Sequence, residues 1–463
     1  MTDYAAIVLA AGKGTRMKSN RCKVLHEIAG RPMISYVLDS ARDVGIQKIC
    51  LVVGHQADKV KEILEGQGLD FQLQEPQLGT GHAVESARNS MVDFSGHILI
   101  LCGDIPLVKS STLKSFIQYH EERQSRLTVM TASVGIPRGY GRIIRSDDGL
   151  VERIVEEKDA DETQRSINEI NAGVYLVESG LLFELLKRLK PNNAQNEYYL
   201  TDIIQEANND GEAVNGYCID DFSEASGINS RADLAFVSRK IYERISDMHM
   251  FNGVTIIDPS ATYIDWGVRI GLDTVIWPGA VITGATVIGE GCNIEPNTFI
   301  SDCEIADNSR ILSCSRLNQS LVASGASVGP MAHLRPEASI GRNCKVGNFV
   351  EVKKTILGDG SKASHLTYLG DSEIGRDVNI GCGTITCNYD GKKKHRTVIS
   401  DNCFVGSDVQ FVAPVTIGEG CVIGAGSTIT KDVPEGSLAV TRAKQKVYPL
   451  RSGQGHKSRN ENS

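Results

Sequence analysis

Apolar runs at 5–10, 48–53, 97–102, 127–134 and 171–177 recur through the first half of the chain. Amphipathic stretches at 33–44, 56–65, 82–91, 110–122 and 180–189 fall between them. Short apolar runs bounded by turn residues predict buried strands, and the longer periodic stretches predict helices. Their alternation is the pattern of βαβ units, so we read an α/β domain whose mostly parallel sheet is covered on both faces. Ligands of such sheets sit beyond the carboxyl ends of the strands. Two segments stand there: 9–17, and Gly103-Asp104 after the run His97–Cys102.

The pattern changes at 231–250. Leu234, Val237, Ile241, Ile245 and Met248 recur at three- and four-residue steps with charges between them. That spacing predicts one amphipathic helix, either an arm between domains or a surface helix of the first domain. A six-residue period follows. Ile270, Ile276, Ile282, Ile288, Ile294 and Ile300 lie six apart, as do Val328, Leu334, Ile340, Val346 and Val352, and Ile399, Val405, Phe411, Ile417, Ile423 and Ile429. No α-helix keeps such a period on one face; short strands joined by sharp turns do, as a coil of triangular cross-section. The period breaks near 301–327, 353–373 and 382–398, and the last break is long enough to leave the coil as a loop. Function in a repeat scaffold sits where the repeat is broken. Arg335, Lys353, His365, Tyr368, Asn379, Asn388 and Tyr389 gather at those places.

A chain of 463 residues exceeds one ordinary core. Its 49 Lys and Arg against 57 Asp and Glu give a net charge of −8, which argues against nucleic acid or an anionic membrane as main partner. No apolar run approaches a membrane span, and Met1-Thr-Asp-Tyr lacks the start of a signal peptide. The 12 cysteines are scattered without CxxC pairs, which suits reduced thiols in a cytoplasmic protein rather than disulfides or zinc sites. The polar stretch Ser452–Ser463 reads as a disordered tail. The basic run Lys392–Arg396 reads as a solvated loop or a contact for a phosphorylated ligand.

The segment Ala6–Met17 carries the sharpest chemical signal. A strand breaks into small residues and two glycines, Gly12 and Gly14, while Lys13, Arg16 and Lys23 add positive charge. Backbone N–H groups in such a turn approach an anion closely, which is what a polyphosphate requires. The loop is not a Walker A motif, since no Gly-Lys-Ser/Thr closes it. Nor is it the dinucleotide fingerprint, since Met17 stands where the third glycine belongs.

Val8-Leu-Ala-Ala-Gly-Lys-Gly-Thr-Arg-Met17 resembles the signature loop of sugar-1-phosphate nucleotidylyltransferases, and the hexads resemble left-handed β-helix acyltransferases. The pairing of the two, with Asn348-Phe-Val-Glu-Val-Lys-Lys354, Ser364-His-Leu-Thr-Tyr-Leu-Gly-Asp371 and Gly383-Thr-Ile-Thr-Cys-Asn-Tyr-Asp-Gly391, resembles the bacterial bifunctional N-acetylglucosamine-1-phosphate uridylyltransferase/glucosamine-1-phosphate acetyltransferase family, from residue 5 to about 450. The resemblance implies a Rossmann-like nucleotidyltransferase domain at 1–231, a helical linker at 232–252, and a left-handed parallel β-helix at 253–463 with its tail from about 452. The left hand comes from the resemblance alone; the usual crossover rule points the other way.

For the first domain the resemblance implies transfer of UMP from UTP to N-acetylglucosamine 1-phosphate with release of pyrophosphate. Arg16 and Lys23 would supply catalytic charge. Leu9, Ala10, Ala11, Gly12, Lys23, Gln74, Gly79, Thr80, Cys102, Gly103 and Asp104 would hold the nucleotide. Gly139, Glu156, Asn171 and Asn229 would complete the UDP-sugar site, with Mg²⁺ on Asp104 and Asn229. In the second domain it implies acetyl transfer from acetyl-CoA to glucosamine 1-phosphate. A neutral amine must attack, so a base is needed, and His365 takes that role. Arg335, Lys353, Tyr368 and Asn379 match sugar-phosphate contacts; Cys382, Asn388, Tyr389, Ser407, Ala425 and Arg442 match positions around acetyl-CoA. Three cysteines depart from the family pattern: Cys22 lies in Arg-Cys-Lys where Leu-Pro-Lys is common, Cys102 replaces a common tyrosine, and Cys382 a common alanine. A homotrimer and a bacterial source making peptidoglycan and lipopolysaccharide precursors are also implied. Two rival readings remain: a single-activity nucleotidylyltransferase with a structural β-helix, and a non-enzymatic subunit like an exchange factor.

Overall fold

In a computed structural model that describes residues 3–449, the chain divides into two compact units, Met1–Arg244 and Ile245–Ser463. The expected tail from Ser452 lies outside the described residues.

The first unit is built on a nine-stranded sheet among the described residues. Its main path runs Val214–Ile219, Leu127–Ser133, Glu169–Glu178, His97–Cys102, Tyr4–Ala10, Lys48–Val53, Asp70–Leu73. Most neighbours are parallel, but Glu169–Glu178 is antiparallel to both of its neighbours on this path, and to Arg142–Arg145 off it. The chain therefore reaches that strand without a crossover helix, through the hairpin Arg142–Arg145 and Val151–Val155. The hairpin and the strands at 70–73 and 214–219 carry little apolar patterning, which is why the hydrophobic runs alone do not reveal them. Alternate residues of the first strand feed two cores: Ala6, Val8 and Ala10 face one layer, Ala5 and Ile7 the other. Burial on both faces explains why these strands read as unbroken apolar runs.

Predicted helices fall at Met33–Asp43, Ala57–Ile63, Thr80–Ser86, Ser110–Glu122 and Ser179–Leu186. The fourth has the predicted bounds. The third is shorter than expected, because the chain tightens into a 3₁₀ turn at Arg88–Met91. A long helix, Arg231–Phe251, runs through the boundary between the units. Its buried stripe is Val237, Ile241, Ile245 and His249, whereas Met248 is exposed. Steps of four drift around a helix of 3.6 residues per turn, so the stripe leaves the side on which Met248 was expected.

The second unit is a coil of short parallel strands in two sheets of 11 and 17 strands among the described residues. Aliphatic residues stack in columns. One runs Ile264, Ile282, Ile300, Leu317, Leu334, Val352, Leu369. A second runs Ile276, Ile294, Ile311, Val328, Val346, Ala363, Ile380, Val405, Ile423. The columns pass through two of the three breaks. Ile282 pairs with Ile300, but Ile288 pairs with Ile305. A coil one residue shorter shifts the sequence phase without interrupting the stack, so 301–327 and 353–373 stay in the coil. Only the third break is an excursion: Ile374 pairs with Ile399. The corners demand left-handed backbone, and Asp273, Asn297, Asp302, Asn308, Asn343, Asp377, Asn402 and Asp408 take positive φ there. Asn and Asp tolerate that region best among residues with side chains. Among the described residues, no helix is long and apolar enough to cross a membrane.

Candidate functional site

Where the strands Tyr4–Ala10 and His97–Cys102 end, a cleft of about 490 Å³ opens in the first unit. Leu9 to Thr15, Lys23, Gln74, Gly79, Thr80, Cys102, Asp104 and Glu197 line it. Gly14 has φ +61°, and a Cβ there would stand 2.8 Å from Cβ of Lys23, so only glycine lets Lys23 pass. Gly12 differs. No protein atom lies within 4 Å of the place its Cβ would take, so the cleft itself is what its missing side chain keeps open.

Lys23 is the electrostatic centre. Its ammonium pairs with the Asp104 carboxylate and donates to Asn229 Oδ1 at 2.9 Å. Arg16 Nη2 donates to the same oxygen at 2.9 Å. Asn229 is held in turn by the start of the long helix: Asp233 Oδ2 accepts from the N–H groups of Asn229 (3.0 Å) and Ser230 (2.8 Å), and Ser230 Oγ accepts from Asp233 N–H (3.2 Å). The role of Asp233 was missed, though Ser230-Arg-Ala-Asp233, with an acid three residues after a serine, is a readable cap signal. The backbone N–H of Gly103 donates to Leu9 O (2.9 Å), tying the two strand ends together.

Gln74 is 4% exposed. Its Nε2 donates to Gly79 O (2.9 Å) and to His82 Nδ1 (3.2 Å), which turns Oε1 to the role of acceptor for a ligand. Glu156 and Asn171 flank Gly141, 3.6 and 3.7 Å from the position of its absent Cβ, and Asn171 N–H donates to Gly141 O (2.9 Å). Burial raises the Glu156 carboxyl above its ordinary range, with Thr201 Oγ1 donating to it at 3.3 Å in partial compensation. The Gly139 N–H is held by the Glu157 carboxylate. Burial, with the nearby Asp104 carboxylate, pushes the Cys102 thiol up to about 12, so it stays protonated, and it reaches Gly173 O at 3.6 Å.

In the second unit the candidate residues lie on neighbouring coils. Asn348 pairs in register with His365, and Asn348 Oδ1 accepts from His365 Nδ1 at 2.8 Å. That bond places the proton on Nδ1 and leaves the Nε2 lone pair for chemistry. Arg335 Nη1 donates to Glu351 Oε1 at 2.7 Å. Lys353 meets Lys394, and their repulsion, with Arg335 adding to it, holds the Lys353 ammonium below the usual lysine range. Asn388 Nδ2 donates to Asp371 Oδ2 (2.5 Å) and weakly to Tyr368 Oη (3.5 Å). Along one corner Asp408 N–H donates to Cys382 O (2.7 Å) and Gly426 N–H to Ser407 O (2.8 Å). Gly406 abuts Ala425, and the Arg442 stem lies 3.6 Å from the Cβ position of Gly426. Cys382, Ser407, Ala425 and Arg442 thus form one column. Tyr389 is 61% exposed on the loop. Asn379 is paired with Lys362 on the face that carries His365.

The basic run is an ordered loop. Asp390 Oδ1 accepts from Lys392 and Lys393 N–H (2.7 Å each) and its Oδ2 meets His395 Nε2 at 2.7 Å; the backbone bonds first, then His395, pull the carboxyl down to about 2. A cavity of about 380 Å³ under this loop is lined by Glu337, Lys354, Asp371, Lys394 and Arg396, among others, and includes none of His365, Arg335, Lys353 or Tyr368. Asn348, Glu351 and Asp371 were not singled out as site residues from the sequence, and Lys394 only as part of the basic run. The signal that finds them is coil spacing, which stacks residue upon residue across the prism.

Residues 5–227 match a nucleotidyl transferase family model, and 396–431 match a bacterial transferase hexapeptide model of six repeats. The chain is 53% identical over 446 residues to the bifunctional protein GlmU of Geotalea uraniireducens, covering 96% of this chain and 98% of that one. It is 54% identical over 446 residues to the bifunctional protein GlmU of Pelobacter propionicus, covering 96% and 97%. A solved UDP-glucose pyrophosphorylase complexed with UDP-glucose is 19% identical with a TM-score of 0.44, over 53% of this chain and 100% of that one.

Proposed function

The chain belongs to the family of the bifunctional protein GlmU, and from that premise we propose which residues carry each of its two reactions. It is a bifunctional transferase: an acetyltransferase of glucosamine 1-phosphate and a uridylyltransferase of N-acetylglucosamine 1-phosphate. Relatives alike in both units leave no place for a merely structural β-helix or a non-enzymatic subunit.

The cleft of the first unit carries the uridylyl reading: one pocket unites the glycine loop, Lys23, Gln74 and Asp104. A phosphate oxygen of the sugar phosphate attacks the α-phosphorus of UTP, the bond to the β-phosphate oxygen breaks, and pyrophosphate leaves. Such a reaction asks for positioning and charge neutralisation more than covalent chemistry. Lys23 and Arg16 neutralise phosphate oxygens. The backbone of Leu9–Gly12 approaches the triphosphate, and Gln74 Oε1 with the Gly79-Thr80 turn reads the uracil edge. Glu156 and Asn171 bind the sugar, with Gly139 at the rim of that subsite.

Mg²⁺ fits the donor set. Asp104 and Asn229 direct oxygens at one cation, which in this structure is the Lys23 ammonium. No group of three or more His, Cys, Asp or Glu placed to hold a metal ion exists among the described residues, so a hard ion held here would share its shell between these two side chains, phosphate oxygens and water. When bound, it would add positive charge to the phosphates.

In the second unit the amine of glucosamine 1-phosphate attacks the acetyl carbonyl of acetyl-CoA, and the C–S bond breaks. His365 Nε2 accepts the amine proton, with Asn348 holding Nδ1–H. The three cations Arg335, Lys353 and Lys394 converge and so favour an anion among them, the sugar phosphate; Tyr368 and Asn379 supply its further contacts. The column Cys382, Ser407, Ala425 and Arg442, with Asn388 and Tyr389, borders acetyl-CoA. These residues stand along an open prism face, which supports a homotrimer whose neighbouring copies enclose the site.

The test is the whole reaction. The pure chain with acetyl-CoA, UTP, Mg²⁺ and glucosamine 1-phosphate is expected to yield UDP-N-acetylglucosamine, free CoA and pyrophosphate. Product formed without acetyl-CoA, or CoA released without pyrophosphate when all substrates are present, overturns the assignment. Light scattering is expected to give three times the chain mass.

A further inference from the structure

The strand Glu169–Glu178 is not regular. Its pairing with Leu127–Ser133 shifts register between Asn171 and Tyr175, and Gly173 between them has φ +75°. Four residues of extended strand span about 13 Å, so these two side chains could not meet on a straight strand. The bulge brings them together: Asn171 Nδ2 donates to Tyr175 Oη at 2.7 Å, and Asn171 Oδ1 accepts from Gly173 N–H at 2.9 Å. Tyr175 is 2% exposed, in the layer that packs on Ile98 and Ile100.

Those two bonds fix the amide. Turning it over would set NH₂ against the Gly173 N–H, donor against donor. With Oδ1 held by Gly173, the NH₂ group must face Tyr175, and the phenol must accept. One N–H and one lone pair of Asn171 then remain, both in a fixed direction. The bulge is tied to the cleft on its other side, since the Cys102 thiol reaches Gly173 O at 3.6 Å and Cys102 lines the nucleotide cleft.

We infer that Tyr175 is a positioning residue for sugar selection: its hydroxyl, with the Gly173 amide, locks Asn171 so that one donor and one acceptor face the acetamido and hydroxyl groups of the sugar phosphate. This rests on Asn171 being a sugar contact. Tyr175 itself touches neither the nucleotide nor the reacting phosphates.

The experiment is a double-mutant cycle on Asn171→Ala and Tyr175→Phe, which keeps the buried ring, read at saturating UTP. Asn171→Ala is expected to raise KM for N-acetylglucosamine 1-phosphate about tenfold, and Tyr175→Phe about fivefold, the scale of one hydrogen bond. The double variant should be no worse than Asn171→Ala. In Tyr175→Phe, kcat and the UTP KM should stay within about twofold, while preference over glucose 1-phosphate falls by the same factor as KM rises. A general packing defect would move the UTP KM as well and multiply with Asn171→Ala. If Asn171→Ala raises the sugar KM and Tyr175→Phe does not, or if the two effects multiply, the inference is overturned. If Asn171→Ala leaves the sugar KM unchanged, the sugar subsite is misplaced and the inference falls with it.

Discussion

Leu9, Gln74, Asp104 and Glu197 come from far apart in the chain and line one cleft of the first unit. In the second unit His333, Glu351 and Tyr368 come from successive coils and stand above one another, and Arg335 two residues beyond His333 reaches Glu351 with its side chain. The first arrangement needs a sheet whose strand ends converge, and it forms its cleft within one chain. The second needs only a register, and it leaves the residues on an open face. A coil supplies alignment along its axis and no walls, so enclosure there has to come from elsewhere. That contrast is the ground of the homotrimer proposed above: the first unit's cleft is lined within one chain, whereas the second unit's candidate residues stand on an open face.

Single substitutions on each side sharpen the contrast. Asp104→Ala is expected to cut uridylyl transfer by about a thousandfold, measured as pyrophosphate release, with acetyl transfer near normal. His365→Ala should do the reverse, lowering thiol release from acetyl-CoA by about a hundredfold or more. A loss of both activities in one folded variant breaks the separation. Smaller in effect is Asn348→Ala, which frees the His365 ring to take either tautomer; about a tenfold drop in acetyl-transfer kcat, with substrate KM little changed, is expected. An unchanged kcat would remove Asn348 from the proton path.

The two glycines of the first loop separate in the same way. Gly14→Ala forces a strained left-handed alanine onto Lys23, so it should cost about 1 kcal/mol of stability as well as nucleotide turnover. Gly12→Ala meets no protein atom, so it should raise the UTP KM with melting temperature unchanged. Equal melting shifts in both would contradict the reading of the open cleft.

The last expected effect is on stability alone and shows in pH. His120 is 1% exposed and sits between Thr128 Oγ1 (2.7 Å) and His97 Nδ1 (2.8 Å); burial, with His97, pushes it down to about 4. In the unfolded chain histidine titrates near 6.5. Between about 4 and 6.5 the unfolded state binds the extra proton, so stability rises with pH, is complete above that window and is lost below it. Asp202, raised to about 6 by burial and Asp159, works oppositely, losing stability as pH climbs through the same span. Comparing wild type with His120→Gln cancels the Asp202 contribution. The wild-type gain between pH 4.5 and 7 should exceed that of the variant by up to roughly 3 kcal/mol; equal gains would contradict it.

Much of this was readable beforehand. Unbroken apolar runs located the central strands, and the six-residue period located the coil. The glycine loop with Lys23 located the cleft, because close backbone approach and charge leave compositional marks. Other features leave none. The reversed strand Glu169–Glu178 follows from a hairpin of mixed residues, not from its own sequence. Two breaks in the hexads looked like interruptions because a one-residue shortening shifts the sequence phase while the stack in space continues. Asn348 and His365 meet only through the coil register, and Asn171 and Tyr175 only through a bulge. Site residues that depend on such geometry become visible once the backbone is known.

The most direct measurement mixes two defective proteins. Asp104→Ala and His365→Ala, each alone with glucosamine 1-phosphate, acetyl-CoA, UTP and Mg²⁺, should yield UDP-N-acetylglucosamine at no more than about a hundredth of the wild-type rate, the first accumulating N-acetylglucosamine 1-phosphate. Together they should make the final product, because the intermediate passes freely from one working site to the other. A mixture that stays inactive, with each protein folded, would contradict two separable sites on one chain.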